Sequence, residues 1–434
     1  MKVLISAFAC EPGKGSEPGV GWNIASQLAK HHDVTVITSI EHRDHTLRYM
    51  REHGLTELPF RIHYHGSALL NRIMVRIPHH LGYNLYALCW YRTVGKVMRK
   101  LNREHHFDLA HHLTWATFKY YDPICELGIP YVIGPVGGGE MAPKGFDEYY
   151  SPLNSLMERI RALHFRRMCG NRRIRNMLDG ASRIVATTPE TASAIRRITS
   201  TNCMVMQAIG VDEHQIASAS ETGGGAARSR NLTASDTVNV LFLGEMKYWK
   251  GIDVLIRTAF HLARVFTGTD FHFNIVGGGH DIQEFRNKVK ALSLETMFTF
   301  YGRVNHDTAL AMYADNDIFF YPSYHDSGAL VVYEAMANRL PVLVLNTGGP
   351  GYNVHNGIGF KVNPERSIDT TARHCADTLR HMAGMILDGT MSSVEDAAIK
   401  YLQDECLWSQ RADALSHIYR QSITGDDHAR SADD

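Results

Sequence analysis

The sequence of 434 residues predicts an α/β protein with two doubly wound, Rossmann-like domains that face an interdomain cleft. Three observations lead to this fold class. Short apolar strands alternate with helical segments, the alternation occurs twice, and glycine-rich loops follow the strands in each half. Parallel sheets of this kind bind ligands beside the carboxyl ends of their strands. We therefore expect the functional residues on the loops that follow strands.

The first half opens with a strand from Lys2 to Phe8 and a glycine- and proline-rich loop from Cys10 to Gly21. A helix from Trp22 to His31 is predicted next. The loop lacks GxGxxG, so a dinucleotide is not indicated. Gly19 and Gly21 would let the backbone approach a ligand closely, and the alternative is a merely flexible turn.

Two further strands of the first half end in polar or glycine-rich sequence. They are predicted at Phe107–Thr114 (FDLAHHLT) and from Tyr131, where YVIGPV runs into three glycines. Side chains at such strand ends line the ligand edge of a sheet, although a histidine there is also common in a packed core. The candidates for the cleft are His111, His112, Gly137, Gly138 and Glu140.

The segment from Glu158 to Arg175 is strongly basic, with seven arginines opposed by Glu158 alone. Apolar residues are interleaved with the arginines, which makes the segment a basic amphipathic one. A solvated helix face is one interpretation. The other is a contact of Arg159–Arg175 with an anionic membrane surface or a lipid diphosphate.

The second half restarts with a strand from Val238 to Leu243, followed by GEMKYWKG. A glycine-ended strand at Phe271–Val276 and another at Phe298–Val304 continue the pattern. The ends of these strands belong to the edge of the sheet where such folds bind ligands. The candidates there are Gly244, Glu245, Lys247, Lys250, Gly302 and Val304.

The stretch from Tyr321 to Pro350 is the most informative one. It predicts a strand end, a turn at Asp326-Ser327-Gly328, an apolar helix to Ala337 and a further strand. Glu334 is the exception on that helix, and a buried carboxylate is costly unless something is bonded to it. Amides at a helix start point outward together and favour phosphate. The candidate phosphate donors are Ser327, Gly328, Ala329, Leu330 and Val331.

Asp326 and Glu334 are separated by seven residues and are followed by Ala-Met-Ala and Pro-Val. This resembles the E-x7-E motif of retaining GT-B glycosyltransferases, most closely glycosyltransferase family 4, and the resemblance covers most of the chain. It implies that Asp326 contacts the donor sugar, that the following amides and Lys250 hold the diphosphate, and that Glu334 binds the ribose hydroxyls. It also implies a GT-B fold and no obligatory metal or cofactor.

The sequence departs from that family in three places. The first acid is Asp326 rather than glutamate. Glu245 stands where relatives usually have an arginine, and Lys247 is the nearest replacement cation. The strand before Gly137 lacks the histidine that many relatives place there, for which His111 or His112 would compensate.

The expected domains follow from these patterns. They are an N-terminal acceptor domain at 1–208, a linker and loop at 209–237, a donor domain at 238–405, a helix crossing back at 406–423 and a disordered tail at 424–434.

The predicted function is retaining transfer of a hexose from a UDP- or GDP-sugar to a glycan or lipid-linked glycan, as in polysaccharide biosynthesis. The alternatives are a GT-B epimerase or phosphorylase and a non-catalytic relative that binds nucleotide sugars. Zero formal net charge gives no global attraction to nucleic acid. Seven scattered cysteines and the absence of a signal sequence or long apolar run predict a cytoplasmic protein. The second interpretation of Arg159–Arg175 would make it peripheral on the inner face of the membrane.

Overall fold

The computed structural model describes residues 1–74, 79–216, 237–265 and 270–424. The chain divides into two compact units. The first contains Met1–Gly139, Ala162–Ile209 and the segment from Trp408 onward, and the second contains Glu140–Arg161 and Gly210–Leu407. The expected division had placed all of 1–208 in one domain, whereas Glu140–Arg161 packs with the second unit. The predicted loop at 217–236 and tail from 425 lie outside the described residues.

The first unit is built on a parallel sheet of seven described strands in the order β3-β2-β1-β4-β5-β6-β7. Its central strands β1, β4 and β5 are buried along nearly their whole length, as expected for strands covered on both faces. The strands are β1 Lys2–Ala7, β2 Asp33–Ser39, β3 Arg61–His65, β4 Leu109–Thr114, β5 Tyr131–Val136, β6 Arg183–Ala186 and β7 Cys203–Val205. The helices are Ser16–Leu28, Arg43–Glu52, Ala68–Met74, His79–His105, Arg172–Asp179, Pro189–Arg196 and Trp408–Thr424.

The second unit repeats this plan with six described strands in the order β10-β9-β8-β11-β12-β13, again parallel. The strands are β8 Val238–Leu243, β9 Phe271–Val276, β10 Phe298–Gly302, β11 Ile318–Tyr321, β12 Val342–Leu345 and β13 Phe360–Val362. The helices are Ile252–Arg264, Ile282–Ala291, His306–Ala314, Leu330–Ala337, Gly348–Asn353, Ile368–Leu387 and Ser392–Glu405.

Both sheets reverse their strand order once. In the first unit this happens between β1 and β4, and in the second between β8 and β11. Side chains that follow these strands converge outside the sheet, which is where doubly wound folds bind ligands. The two parallel, Rossmann-like sheets confirm the predicted α/β class.

The first glycine-rich loop is shorter than predicted. A helix at Trp22–His31 was expected, but the helix begins at Ser16 and ends at Leu28. Glu17 and Pro18 explain the early start, since an acidic residue and a proline both suit the first turn of a helix. Gly19 and Gly21 therefore lie inside the helix rather than in the loop.

The basic segment forms two helices rather than one. Pro152–Cys169 ends at Gly170, and Asn171 caps the following helix by accepting hydrogen bonds from the amides of Arg173 and Ile174. The first of these helices begins in the second unit and ends in the first. Among the described residues, no helix combines the length and the apolarity needed to cross a bilayer.

Candidate functional site

The candidate site lies at the reversal point of the second sheet. Lys250 ends a helical turn that follows β8, and Asp326 lies on the loop that follows β11. The Nζ atom of Lys250 is 2.7 Å from both carboxylate oxygens of Asp326 and 2.8 Å from the hydroxyl oxygen of Tyr321. The Tyr321 hydroxyl donates in turn to Asp326 over 2.5 Å. Two predicted residues that are 76 positions apart thus form one hydrogen-bonded cluster.

The cluster is largely shielded from water. The side chains of Lys250 and Asp326 are 16% and 19% exposed, and Tyr321 is buried. Burial alone would raise the pKa of Asp326, but the ammonium group of Lys250 outweighs it, and the pKa is lowered from its usual value. Asp326 is therefore an ionised carboxylate, paired with a cation, at neutral pH.

The loop after Asp326 has a fixed backbone shape. Ala329 precedes the helix Leu330–Ala337 with a φ of 64°, and its side chain provides no cap for the helix. The Gly349 amide donates to the carbonyl of Asp326 over 2.7 Å, and the Asn353 side-chain amide donates to the carbonyl of Gly328 over 2.6 Å. A side chain at Gly349 would collide with the backbone of Ser327. The helix Gly348–Asn353 thus holds the predicted phosphate loop in place.

Glu334 projects from the first turns of the helix Leu330–Ala337. Its Oε2 atom accepts a hydrogen bond of 2.9 Å from the hydroxyl of Tyr313, which is buried. Burial and the nearby carboxylate both raise the pKa of Tyr313, so this hydroxyl stays a donor. One carboxylate oxygen is therefore oriented by a tyrosine that the sequence interpretation did not single out. Glu334 itself is partly exposed.

Glu245 and Lys247 form an ion pair of 2.7 Å after β8. The Glu245 side chain is 44% exposed and Lys247 13%. Lys247 also lies 5.0 Å from the ring centre of Trp249. The lysine expected to replace the missing arginine is thus paired with the very carboxylate that occupies the arginine position.

The remaining backbone candidates of the second unit lie on neighbouring strand ends. The Gly244 amide donates to the Val276 carbonyl over 3.0 Å. Gly302 ends β10 with a φ of 72° and accepts from the Gly277 amide over 2.8 Å, and Val304 follows, partly exposed. These residues shape the ligand edge of the sheet through their backbone.

His325 was missed by the sequence analysis, although it directly precedes Asp326. It is buried, and its Nε2 atom lies 3.0 Å from the carboxylate of Glu158. Its Nδ1 atom lies 3.2 Å from the carbonyl oxygen of Glu140. Tyr248 donates to the other Glu158 oxygen over 2.8 Å. The segment 140–161 thus fixes the residue next to the central carboxylate. Only the sequence neighbour Asp326 could have drawn attention to it.

Gly19 and Gly21 serve packing within the first unit. A Cβ atom on Gly19 would come within 1.9 Å of the Lys14 carbonyl oxygen, and one on Gly21 within 2.2 Å of the Ala9 carbonyl oxygen. Both glycines are buried. The close backbone approach that the sequence predicted does exist, but its partner is the preceding loop.

His111 and His112 are inside β4, and both are buried. His111 bonds to the Gly134 carbonyl and, over 2.6 Å, to the hydroxyl of Tyr419. His112 is 2.7 Å from Asp122 and 2.9 Å from the Trp115 carbonyl oxygen. Burial lowers the pKa of His111 to about 4. Each ring uses both nitrogens within the first unit, so the structure favours the core role that the sequence left open.

Gly137 and Gly138 follow β5 in the first unit. The Gly137 amide donates to the Ala116 carbonyl over 2.9 Å. Gly138 has a φ of 106°, and a Cβ atom there would meet Lys119 at 2.8 Å. Glu140 is buried in the second unit. The role of these three residues in a cleft stays a prediction.

The arrangement of the second unit suits a polyanionic ligand. The paired ammonium group of Lys250 follows β8. The helix that follows the neighbouring strand β11 offers its start, and the carboxylate of Glu334 lies one turn further on. Cations and amide dipoles aimed at one region stabilise negative charge that develops there. No cluster of three or more potential metal ligands occurs among the described residues.

Residues 226–381 match the family model described as Glycosyl transferases group 1. The chain is 29% identical over 201 residues to a D-inositol 3-phosphate glycosyltransferase of Corynebacterium aurimucosum, which covers 44% of this chain and 46% of that protein. It is 28% identical over 204 residues to the protein of the same name from Rhodococcus jostii, covering 45% and 43%. The chain thus spans a little under half the length of these curated relatives.

Solved structures resemble the chain over nearly its whole length. A glycosyltransferase from Rickettsia africae has a TM-score of 0.61 at 15% identity and covers 98% of this chain and 99% of its own. HepE of Anabaena in complex with UDP has a TM-score of 0.58 at 16% identity and covers 96% and 100%. At such identities the likeness concerns the fold, which is the GT-B fold.

Proposed function

We propose that the protein is a retaining glycosyltransferase that moves a sugar from a nucleoside diphosphate donor to a glycan or a lipid-linked glycan. The observation that carries this proposal is the cluster of Lys250, Asp326 and Tyr321 beside an open helix start. The family match of residues 226–381 supports glycosyl transfer. The UDP and UDP-glucose bound to HepE, a protein of similar fold, support a nucleotide-sugar donor.

The chemical task is the departure of a nucleoside diphosphate. A diphosphate needs no protonation to leave, so the protein has to stabilise its growing negative charge. Lys250 and the amides at Ser327–Val331 are placed to do this. Asp326, held ionised by Lys250, orients the sugar. Glu334, oriented by Tyr313, accepts from the ribose hydroxyls.

The two lysines that follow β8, Lys247 and Lys250, are each paired with a carboxylate. Lys250 is bonded to Asp326, and Lys247 to Glu245. A diphosphate must therefore share Lys250 with Asp326. This places Asp326, the carboxylate that orients the sugar, beside the leaving group. The second pair favours one rival function, a non-catalytic protein that binds nucleotide sugars. Because Lys247 is paired with Glu245, it is less able to neutralise the charge that develops on a leaving diphosphate.

Calorimetric titration with UDP, GDP, ADP and dTDP tests the donor site. We expect one nucleotide to bind, and we expect Glu334→Ala to weaken it by about 10- to 100-fold, since hydrogen bonds to charged groups contribute about 1.5–3 kcal/mol. Tyr313→Phe should weaken it less, because the carboxylate remains. Glu295→Gln, at an exposed carboxylate of the same unit, is the matched control.

Three results would contradict parts of the proposal. If no nucleotide binds, the donor site is refuted. If a nucleotide binds but its sugar nucleotide is neither transferred nor hydrolysed, the non-catalytic function stands. Conversion of the sugar to its epimer without any acceptor would indicate an epimerase instead.

We also propose that the helix Pro152–Cys169 contacts an anionic membrane surface from the cytoplasmic side. Leu153, Leu156, Met157 and Ile160 are 47–56% exposed at positions that share one helix face. The arginines of Arg159–Arg175 add positive charge around them. Flotation with anionic vesicles at physiological salt should carry the protein upward, and Leu156→Gln should reduce this. Failure of the native protein to float would refute the contact.

A further inference from the structure

The first unit contains a cavity of about 480 Å³ that the proposed function does not use. It lies between the helix His79–His105, the loop that follows β4, and the chain around Asn171. Its volume is within the range of about 300–1,000 Å³ that is typical of small-molecule sites. The donor residues Lys250 and Asp326 belong to the other unit. This cavity therefore needs an explanation of its own.

Basic side chains from three separate segments meet around this cavity. The helix contributes three of them at spacings of four and three residues, which places them on one face. The other two come from the loop after β4 and from the start of the helix Arg172–Asp179. The five residues are Arg92, Lys96, Arg99, Lys119 and Arg173.

Glu126 is the one carboxylate among the described residues that line the cavity. It accepts from Arg99 over 2.6 Å and from the hydroxyl of Tyr121 over 2.6 Å. Glu126 therefore neutralises about one of the five cations. Four of these five cations are exposed, and Lys119 is partly buried. A concave surface with an excess of positive charge attracts anions.

The walls also offer apolar and aromatic surface. Leu88, Met168 and Ile174 line the cavity, and so do Tyr120 and Tyr121. The guanidinium group of Arg173 lies 5.4 Å from the ring centre of Tyr121, which fixes this cation beside the aromatic wall. The basic face of a single helix does not account for Lys119 and Arg173, which come from two other segments and lie beside these aromatic side chains. The combination fits an organic ligand with an anionic group.

We propose that this cavity binds the phosphate or diphosphate group of an organic ligand. Arginine and lysine are the residues that bind phosphate oxygens, and arginine does so with paired hydrogen bonds. The inference does not depend on the proposed donor site, because it rests on residues of the first unit alone. The ligand is either a soluble phosphate ester or a lipid with a phosphate headgroup.

The test uses the full chain, inorganic pyrophosphate and calorimetric titration at low salt. With UDP in excess to occupy the donor site, we expect pyrophosphate to bind, and the Arg92→Gln/Lys96→Gln double variant to weaken that binding at least tenfold. Arg103→Gln, an exposed arginine further along the same helix and outside the cavity, is the matched control and should bind normally. Binding should persist in Lys250→Ala, which removes a cation from the donor unit. Thermal unfolding checks that each variant is folded.

The proposal is overturned if pyrophosphate does not bind, or if the double variant binds it as the native protein does. Flotation with vesicles that contain phosphatidic acid separates the two sources when every protein also carries Leu156→Gln, which weakens the proposed membrane contact of the helix Pro152–Cys169. If the double variant loses both pyrophosphate and vesicles, the ligand is a lipid headgroup. If it loses pyrophosphate only, the ligand is a soluble phosphate ester. UDP binding should be unchanged in the double variant, so a failed donor site and a failed cavity give different results.

Discussion

Lys250→Ala should expose how strongly the central ion pair of the second unit depends on its cation. The substitution leaves Asp326 mostly buried, with the Tyr321 hydroxyl as its remaining donor in this cluster. Removing one partner of a buried ion pair costs about 3–5 kcal/mol. Because the two side chains keep 16% and 19% exposure, we expect a value near the lower end, about 3 kcal/mol.

This loss converts into a measurable melting shift. For a folding unit of 150–250 residues, 1 kcal/mol changes the melting temperature by roughly 2–4 °C. Scanning calorimetry at pH 7 should therefore show the transition of the second unit lowered by about 6–12 °C. Lys290→Ala, at an exposed lysine of the same unit, should change little. Asp326→Asn in the Lys250→Ala background should recover part of the loss, since it removes the uncompensated charge.

The melting difference between the native protein and Lys250→Ala should depend on pH. In the native protein the pKa of folded Asp326 lies below its unfolded value, so its stabilisation is present at neutral pH and is lost on acidification. Without Lys250, burial is opposed only by hydrogen bonds such as the one from Tyr321, so we expect the folded pKa of Asp326 to rise. The ionised carboxylate then destabilises the fold at pH 7, and protonation relieves this as the pH falls. The melting difference between the two proteins should thus shrink from pH 7 towards pH 4. A variant that melts like the native protein, or a difference that is constant with pH, would refute the ion pair.

Two further substitutions act on the surroundings of the site. Glu245→Gln should tighten UDP binding by about two- to fivefold in calorimetry, because it releases Lys247 from an exposed pair of the kind that contributes about 0.2–1 kcal/mol; weaker or equal binding would contradict this. His325→Ala should lower the melting temperature, because it leaves the Glu158 carboxylate without one of its donors. It should also reduce turnover more than UDP affinity, because the backbone next to Asp326 is then held less firmly. Unchanged turnover would exclude that positioning role.

The sequence predicted the fold because its determinants are local. Apolar runs, glycine-rich turns and helix starts follow from neighbouring residues, and two parallel sheets follow from their alternation. The pairing of Lys250 with Asp326 was implied only through their shared ligand. Their direct hydrogen bonds, and the contact between His325 and Glu158, join positions 76 and 167 residues apart and depend on the folded backbone. The pattern of residues along the chain does not give the distance between side chains so far apart in sequence.

The errors also have physical causes. The helix start at Ser16 was placed too late because the glycines at 19 and 21 read as loop residues, whereas the preceding loop packs against them and makes glycine necessary there. For the two adjacent histidines at a strand end, the sequence left a cleft role and a core role open. In the structure, the carbonyl of Gly134 and the side chains of Tyr419 and Asp122 satisfy them inside the core.

The interleaved path of the chain limits how this protein can be dissected. A cut between residues 209 and 210 would yield a C-terminal piece with Lys250 and Asp326 but without the segment 140–161. That piece would lack Glu158, which bonds to both His325 and Tyr248. An exchange of donor specificity between relatives by a single crossover would break these bonds for the same reason. A chimaera that keeps them has to carry 140–161 together with 210–407.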